Sequence, residues 1–189
     1  MQQANPEPEE PPTSSSNLLR FCGSGAVLAG MLFVVWGYLD RPNIPIYLEV
    51  AVQALSFMVP ALFLMGLVGI YFRCKREANR PAMSGLALAF IGSGLGILPL
   101  SGVADWFATL LGGLTLAGIA TAGRSLRGLG ALLLATATLG WTYYFTDSGA
   151  VFEARSIHVG FGVLFSLGWV ALGLALWVGG TRQAKGAHA

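Results

Sequence analysis

The chain alternates long apolar runs with short polar segments, and this alternation predicts its elements. Two apolar runs in the middle, residues 50–72 and 81–98, flank a short polar turn at 73–80. Each run is close to the roughly 20 residues that an apolar α-helix needs to cross a bilayer. Similar runs occur on both sides of this pair, so the pattern predicts a series of transmembrane helices.

The number of helices depends on one long stretch. Residues 81–122 contain no Lys or Arg, and as a single helix they would extend about 63 Å at about 1.5 Å per residue. The apolar core of a bilayer is only about 30 Å thick, so the stretch must hold two crossings. Pro99, Ser101 and Gly102 are the natural break. The predicted fold class is an all-α, polytopic transmembrane helical bundle with six helices, at about 18–39, 47–72, 81–98, 104–122, 129–145 and 156–178.

Two tails flank the predicted transmembrane domain, which covers residues 18–179. Residues 1–17 are rich in Pro, Ser and acidic residues and have almost no bulky apolar side chain. Such a composition buries too little apolar surface to offset the entropy of ordering the chain. We expect a disordered tail at 1–17 and a second tail at 180–189, both cytoplasmic.

The amino-acid composition indicates which solvent surrounds the helices. The chain has 54% hydrophobic and 11% charged residues, whereas soluble domains carry about 25% charged residues. This number of charged residues is too small to cover a surface that faces water. The lipid bilayer is therefore the expected partner. The net charge of +2 gives no reason to expect a nucleic acid.

The positions of the charges predict the orientation. If both termini are cytoplasmic, nine of the 11 basic residues fall on the cytoplasmic side, as the positive-inside rule requires. These nine are Arg20, Arg73, Lys75, Arg76, Arg80, Arg124, Arg127, Arg182 and Lys185. Cys22 and Cys74 fall on the same reducing side, so we expect free thiols there.

Six polar residues near the opposite, outer interface form the one candidate site. They are Glu49, Asp105, Asp147, Glu153, Arg155 and His158. If the bundle brings these acids together, their charge would attract a cation or a basic partner. The alternative is that each acid is hydrated separately in its own loop. A bound metal at His158 is a weaker alternative of the same kind.

Pro60 lies in the middle of the second predicted helix and is a candidate kink, because it leaves the carbonyl of Ser56 without its usual donor. The kink is either a functional hinge or a feature of packing, and many prolines of membrane helices are structural.

No catalytic constellation is expected. Ser93 lies in a Gly-rich stretch and His158 on another helix, as in intramembrane serine proteases of the rhomboid type, but Ile91 occupies the first position of the G-x-S-G motif. The two side chains would also differ in depth by roughly 9 Å, judged from the helical rise. Haem usually needs a second axial ligand, and the other histidine, His188, lies in the cytoplasmic tail. We therefore expect no enzyme and no cofactor.

Small residues recur at a spacing of four, which allows close approach of helices in a membrane. The pairs are Gly25/Ala29, Gly92/Gly96, Gly113/Ala117, Gly118/Ala122 and Gly162/Ser166. They indicate packing within the bundle rather than a dimer face.

Three segments, LVGIYFRCKREANRPAMSGLALAF, LAGIATAGRSLRGLGALLL and LFSLGWVALGLALWVGG, resemble the small uncharacterised six-helix membrane proteins of bacteria. The resemblance implies a multi-pass protein of the bacterial inner membrane and transfers no site. The expected function is that of a non-enzymatic accessory or structural subunit that packs against other membrane subunits, or against copies of itself. The alternative is a small channel or carrier for an uncharged or lipid-like solute.

Overall fold

The structure, a computed structural model, describes residues 12–39, 45–75, 79–98, 106–122, 127–147 and 155–186. Within these ranges every regular element is an α-helix. The six helices are α1 (Pro12–Leu39), α2 (Ile46–Cys74), α3 (Arg80–Ile97), α4 (Trp106–Ala122), α5 (Arg127–Asp147) and α6 (Arg155–Gly186). The six predicted helices are therefore confirmed as helices, most within two residues of their expected ends.

Both predicted tails are shorter than expected, because α1 begins at Pro12 and α6 continues to Gly186. A proline suits the first turn of a helix, where its missing N–H is not needed. The two extensions also support each other: a Cβ placed on Gly180 would lie 2.8 Å from the carbonyl oxygen of Ser16. Residues 12–17 and 180–186 are thus helical, in place of the expected disordered and tail segments.

Three of the helices are long and apolar enough to cross a membrane. They are Ser16–Leu39 within α1, Ile46–Cys74 within α2 and Val159–Thr181 within α6. These three helices also contact one another, and we call them the long-helix trio. The other three, α3, α4 and α5, have 17 to 21 residues each; we call them the short-helix trio.

The helices pack in a ring that follows the order of the chain. Each helix contacts its neighbours in sequence, and α6 closes the ring against α1. Neighbouring helices are antiparallel, because the residues that meet run in opposite order: Gly173 meets Gly23 nearer the start of α1, and Ser166 meets Gly30 farther along it. The start of α1 and the ends of α2, α4 and α6 therefore lie at the same end of the bundle.

Glycines let the backbones of two helix pairs approach closely. In α1 and α6, a Cβ on Gly173 would lie 2.5 Å from the carbonyl oxygen of Gly23. In α3 and α4, a Cβ on Gly113 would collide with the backbone nitrogen of Ala89. Such contacts replace the hydrophobic driving force that is missing between helices in lipid. Packing within the bundle is thus confirmed for Gly113, one of the small residues singled out above.

Candidate functional site

Aromatic side chains fill the centre of the bundle. Phe33 of α1 lies 5.1 Å from Phe165 of α6 between ring centroids, and Phe107 of α4 lies 5.3 Å from Phe165. Phe63 of α2 stacks on Trp169 of α6 at 4.4 Å. These distances are typical of favourable ring pairs. We call the set Phe33, Phe63, Phe107, Phe165 and Trp169 the aromatic core; it joins four helices across the ring and occupies the axis at this level.

The aromatic core is the main feature that the sequence did not predict. Apolar membrane helices carry no stripe that distinguishes an inward face from one facing lipid, so the five rings could not be grouped. Tyr143 shows the same difficulty. The sequence shows it only as one of three aromatic residues near the end of the fifth predicted helix, with Trp141 and Tyr144. Its ring packs 5.4 Å from Phe33 and 5.9 Å from Phe107, next to the core.

Two buried polar atoms have no hydrogen-bond partner within the described residues: Ser93 Oγ in α3 and Trp169 Nε1 in the aromatic core. Both side chains are fully buried. Most other buried hydroxyls bond to their own helix; Ser166 Oγ, for example, donates to the carbonyl oxygen of Gly162 at 2.8 Å. Ser93 is therefore a polar group in an apolar interior, and nothing in the described chain brings a base or acid to it.

Pro60 is buried inside α2, which remains helical on both sides of it. Its Cβ packs against α3, 3.0 Å from where a Cβ on Gly96 would lie. Gly96 is the penultimate residue of α3, so this contact marks the level at which α3 ends beside α2. The structure thus gives Pro60 a packing role at the junction between the two trios.

The predicted outer cluster lies largely outside the described residues. Asp105 and Glu153 fall in the segments that are not described, and for Asp147, Arg155 and His158 the structure describes the backbone alone. Glu49 is exposed in the first turn of α2. Whether these carboxylates come together remains a prediction. Within the described residues, no group of three or more His, Cys, Asp or Glu side chains could hold a metal ion.

A small cleft opens near this end of the bundle, between α1, α5 and α6. It has a volume of about 60 Å³. The lining is mostly apolar, with tyrosine hydroxyls as the main polar groups, and comprises Phe33, Val34, Gly37, Tyr38, Tyr143, Val159, Gly162 and Val163. Phe33 of the aromatic core forms part of this lining, so the cleft borders the core.

The first half of α2 is the less buried half of that helix. Residues 46–58 include no buried side chain, and the buried residues of α2 begin at Val59. Ile46 and Val50 are 81% and 72% exposed. Because α3 ends beside Pro60, these residues extend past the end of α3. We call residues 46–58 the α2 extension.

The opposite end of the bundle carries the described basic residues. Arg20, Arg73, Lys75, Arg80 and Arg127 are all exposed there. Among the residues whose side chains are described, the one acid, Glu49, lies at the other end. Cys22 and Cys74 are both buried near the basic end. The charge separation expected from the sequence is thus present in three dimensions for the described part of the chain.

No protein family, curated protein or solved structure matches this chain. The class is therefore defined by the fold itself: the described residues form six α-helices, three of which are long and apolar enough to cross a membrane.

Proposed function

We propose that the chain is a multi-pass membrane protein with six crossings and both termini in the cytoplasm. We further propose that it acts as a non-enzymatic accessory subunit in a bacterial inner membrane, and that its docking surface for another membrane protein is the α2 extension. The observation that carries this proposal is an apolar helical segment, residues 46–58, in which most side chains are exposed and none is buried.

Helix length supports a protein partner for the α2 extension. The 29 residues of α2 extend about 43 Å at about 1.5 Å per residue, whereas the apolar core of a bilayer is about 30 Å thick. With Arg73 at the inner interface, the first residues of α2 would reach beyond the hydrocarbon. Ile46, Tyr47 and Val50 would then be exposed to headgroups and water, and cover by another protein would stabilise them.

Two polar residues of the α2 extension support a partner that differs from this chain. Gln53 is exposed and its side-chain amide makes no hydrogen bond to the described residues, so a neighbouring helix could supply one. Glu49 lies one turn away. If two copies of the chain met through parallel α2 helices, the Glu49 side chains of the two copies would lie close together. Their like charges would repel and would disfavour such a dimer. A partner with a basic or hydrogen-bond-donating side chain fits this surface better.

The aromatic core gives less support to a channel or carrier. A solute would have to displace closely packed rings such as Phe33 and Phe165 to pass along the axis. The cleft between α1, α5 and α6 is lined in part by Phe33, one of these rings.

Photocrosslinking in native membranes tests the proposal. A photoreactive amino acid at Val50 should yield one discrete adduct with another membrane protein. The adduct should weaken when Gln53→Leu or Glu49→Gln is added, because the polar contacts are lost. The matched control is Ile91 of α3, which is 58% exposed and should give lipid adducts alone. Lipid adducts alone from Val50 would overturn the proposal, and so would an adduct with the mass of two copies of this chain.

A further inference from the structure

The cleft between α1, α5 and α6 is built around the ring of Tyr143. This ring lies edge-on to Phe33 of α1, with 5.4 Å between the two ring centroids. A Cβ on Gly162 of α6 would lie 3.1 Å from Cε2 of Tyr143, so the glycine allows the ring to lie against the α6 backbone. Contacts with two other helices therefore fix Tyr143, and the cleft is a preformed part of the folded bundle, as small-molecule sites usually are.

A glycine of α1 keeps the cleft open opposite this ring. A Cβ on Gly37 would lie 3.9 Å from the hydroxyl oxygen of Tyr143, an ordinary van der Waals distance. Both residues line the cleft, so position 37 faces Tyr143 across it. A larger side chain at position 37 would extend into the space that the glycine leaves.

The lining selects a neutral ligand with an apolar body. Val34, Val159 and Val163 supply aliphatic walls, and no charged residue is among the described residues that line the cleft. An ion would lose its hydration there without a compensating partner. The Tyr143 hydroxyl can both donate and accept a hydrogen bond, so it can bind the polar head of a ligand while it keeps a contact within the protein.

The volume of the cleft selects a narrow ligand. At about 60 Å³, the cleft is less than half the size of an apolar protein cavity of about 150 Å³ that takes up benzene. A six-membered ring would therefore not fit inside it. A short aliphatic chain has a smaller cross-section and can enter through the open side.

The position of the cleft along the helices suits a molecule with a polar head and an apolar chain. Tyr38 is the penultimate residue of the candidate span Ser16–Leu39, and Val159 is the first residue of Val159–Thr181. The cleft therefore lies where two candidate spans would meet the membrane interface, the level at which tyrosine side chains are enriched. Amphiphilic molecules collect at this level for the same reason, because one end of the molecule is apolar and the other is hydrated.

We propose that this cleft binds a short aliphatic alcohol, with its chain between Phe33 and the valines of α1 and α6 and its hydroxyl head at Tyr143. The site uses residues of α1, α5 and α6 and is separate from the α2 extension. It requires no passage along the axis of the bundle, because the ligand enters and leaves through the open side of the cleft.

Photolabelling of the full chain in lipid nanodiscs with a diazirine-bearing pentanol tests the site. Adducts, mapped by mass spectrometry, should concentrate on residues that line the cleft, Tyr143 in particular. Competition by n-alcohols from ethanol to octanol should improve about fourfold with each added methylene and should stop improving once the chain fills the cleft. Partition into the bilayer improves over the whole series, so a steady gain up to octanol would contradict the proposal.

Two variants that fill the cleft from opposite walls should abolish these adducts. Gly37→Leu fills the cleft from α1 and Val159→Phe fills it from α6, and thermal unfolding in one cooperative transition checks that each variant is folded. The matched control is Gly160→Leu in α6, at an exposed position where no described atom lies within 4 Å of an added Cβ. This control should keep the adducts.

Tyr143→Phe tests the contact with the hydroxyl head. It should weaken competition by pentanol about fivefold, the value of one neutral hydrogen bond, and should leave competition by pentane unchanged, as read from adducts on the remaining lining residues. Tyr144→Phe is the control, since Tyr144 is not among the lining residues, and should change neither.

Four other results would overturn the proposal. Equal labelling of Leu167, which is 55% exposed and outside the cleft, would show partition into lipid alone. Undiminished adducts in Gly37→Leu and Val159→Phe would place the ligand elsewhere. Equal effects of Tyr143→Phe on pentanol and pentane would exclude the head contact. Labelling that begins only after the protein is stripped of lipid would assign the cleft to a lipid acyl chain.

Discussion

The long-helix trio and the short-helix trio use the same packing device but differ in what else holds them. In both, glycines bring antiparallel backbones together, at Gly173 in the long-helix trio and at Gly113 in the short one. The long-helix trio adds four large rings of the aromatic core, including Phe63 and Trp169. The buried face of α3, by contrast, consists mostly of Ala, Gly and Ser.

This difference separates two ways in which a membrane helix is stabilised. A long apolar helix is favoured in lipid by itself, and ring packing adds to the close approach of its backbone. Helices of 17 or 18 residues, such as α4 and α3, are near the lower limit for a crossing. They depend more on close contact with their neighbours, so the short-helix trio should be the more sensitive half.

The largest expected effect is all-or-none labelling of cysteines placed at the two ends of a short helix. This result tests whether the short helices cross the membrane. In a background with Cys22→Ala and Cys74→Ala, single cysteines would be labelled in intact cells with a membrane-impermeant thiol reagent. Because α3 separates them, a cysteine at Asn79 should be protected and one at Ser101 should react.

The same labelling assay tests the other connections between helices, and two of its possible results would contradict the proposed topology. We expect protection at Leu126 and in the C-terminal tail, and reaction at Asn43 and Ser148. Labelling of Asn79 from outside would overturn the orientation. Equal behaviour of Asn79 and Ser101 would show that α3 does not cross, and the two trios would then differ in topology as well as in packing.

The second effect is a loss of stability from a single added side chain in the short-helix trio. Gly113→Val would drive its Cβ into the backbone of Ala89 and force α3 and α4 apart. We expect a loss of about 3 kcal/mol in the free energy of unfolding, at the upper end of overpacking effects, measured by thermal unfolding in detergent.

Two variants control this result and sharpen the comparison. Gly112→Val adds the same atoms next door, where a Cβ would lie 3.9 Å from the nearest atom, on Leu88, and should change stability by under about 0.5 kcal/mol. Gly173→Val makes the corresponding collision in the long-helix trio and should have a smaller effect than Gly113→Val, because the aromatic core still joins α1 to α6. A larger loss for Gly173→Val would contradict the proposed difference.

The third effect concerns the unpaired polar atom in the short-helix trio. Ser93→Ala removes a fully buried hydroxyl that has no hydrogen-bond partner within the described chain. The change should raise stability by about 1 kcal/mol, since an unpaired buried polar group carries a desolvation penalty. Ser166→Ala is the control, because that hydroxyl bonds to Gly162 and its loss should lower stability. A drop for Ser93→Ala would indicate a partner or a water that Ser93 binds.

The smallest effect is expected where the two trios meet. Pro60→Ala gives the Ser56 carbonyl its missing donor, worth about 1 kcal/mol, and removes two buried carbons worth about 0.8 kcal/mol each. The net loss of stability should be under about 1 kcal/mol, and crosslinking from Val50 should be unchanged. Abolished crosslinking in a stable variant would instead make Pro60 a hinge. Pro81→Ala, at an exposed proline in the first turn of α3, is the control.

The sequence predicted the helices well because apolar length and polar breaks decide where a membrane helix can lie. Asp40, Arg73 and Arg124 mark such breaks. The ends of α1 and α6 were placed too far inward, since hydropathy cannot report that Ser16 and Gly180 pack together. Packing of distant helices, rather than local preference, extends both elements.

The candidate sites were harder to predict, because each depends on which face of a helix points inward. A proline in the middle of a helix, such as Pro60, is easily recognised in the sequence. Its contact with Gly96 cannot be recognised there. Arg20 and Arg73 were recognised as charges of one side of the membrane, but their separate contacts with Gly180 and Gly179 of α6 could be seen only in the packed structure. The exposure of the α2 extension likewise follows from where α3 ends.

The pairing of α1 with α6 also sets an order of events during synthesis. Of the six described helices, α1 is synthesised before the other five and α6 after them, and these two share the most extensive interface. If the chain inserts into a membrane as proposed, the Gly23 and Gly30 face of α1 rests against lipid or the insertion machinery until α6 leaves the ribosome. Contacts so distant in sequence form late and slowly. A nascent chain that stopped before Arg155 would therefore form an open arc of five helices. The addition of α6, which contacts both α5 and α1, closes the ring.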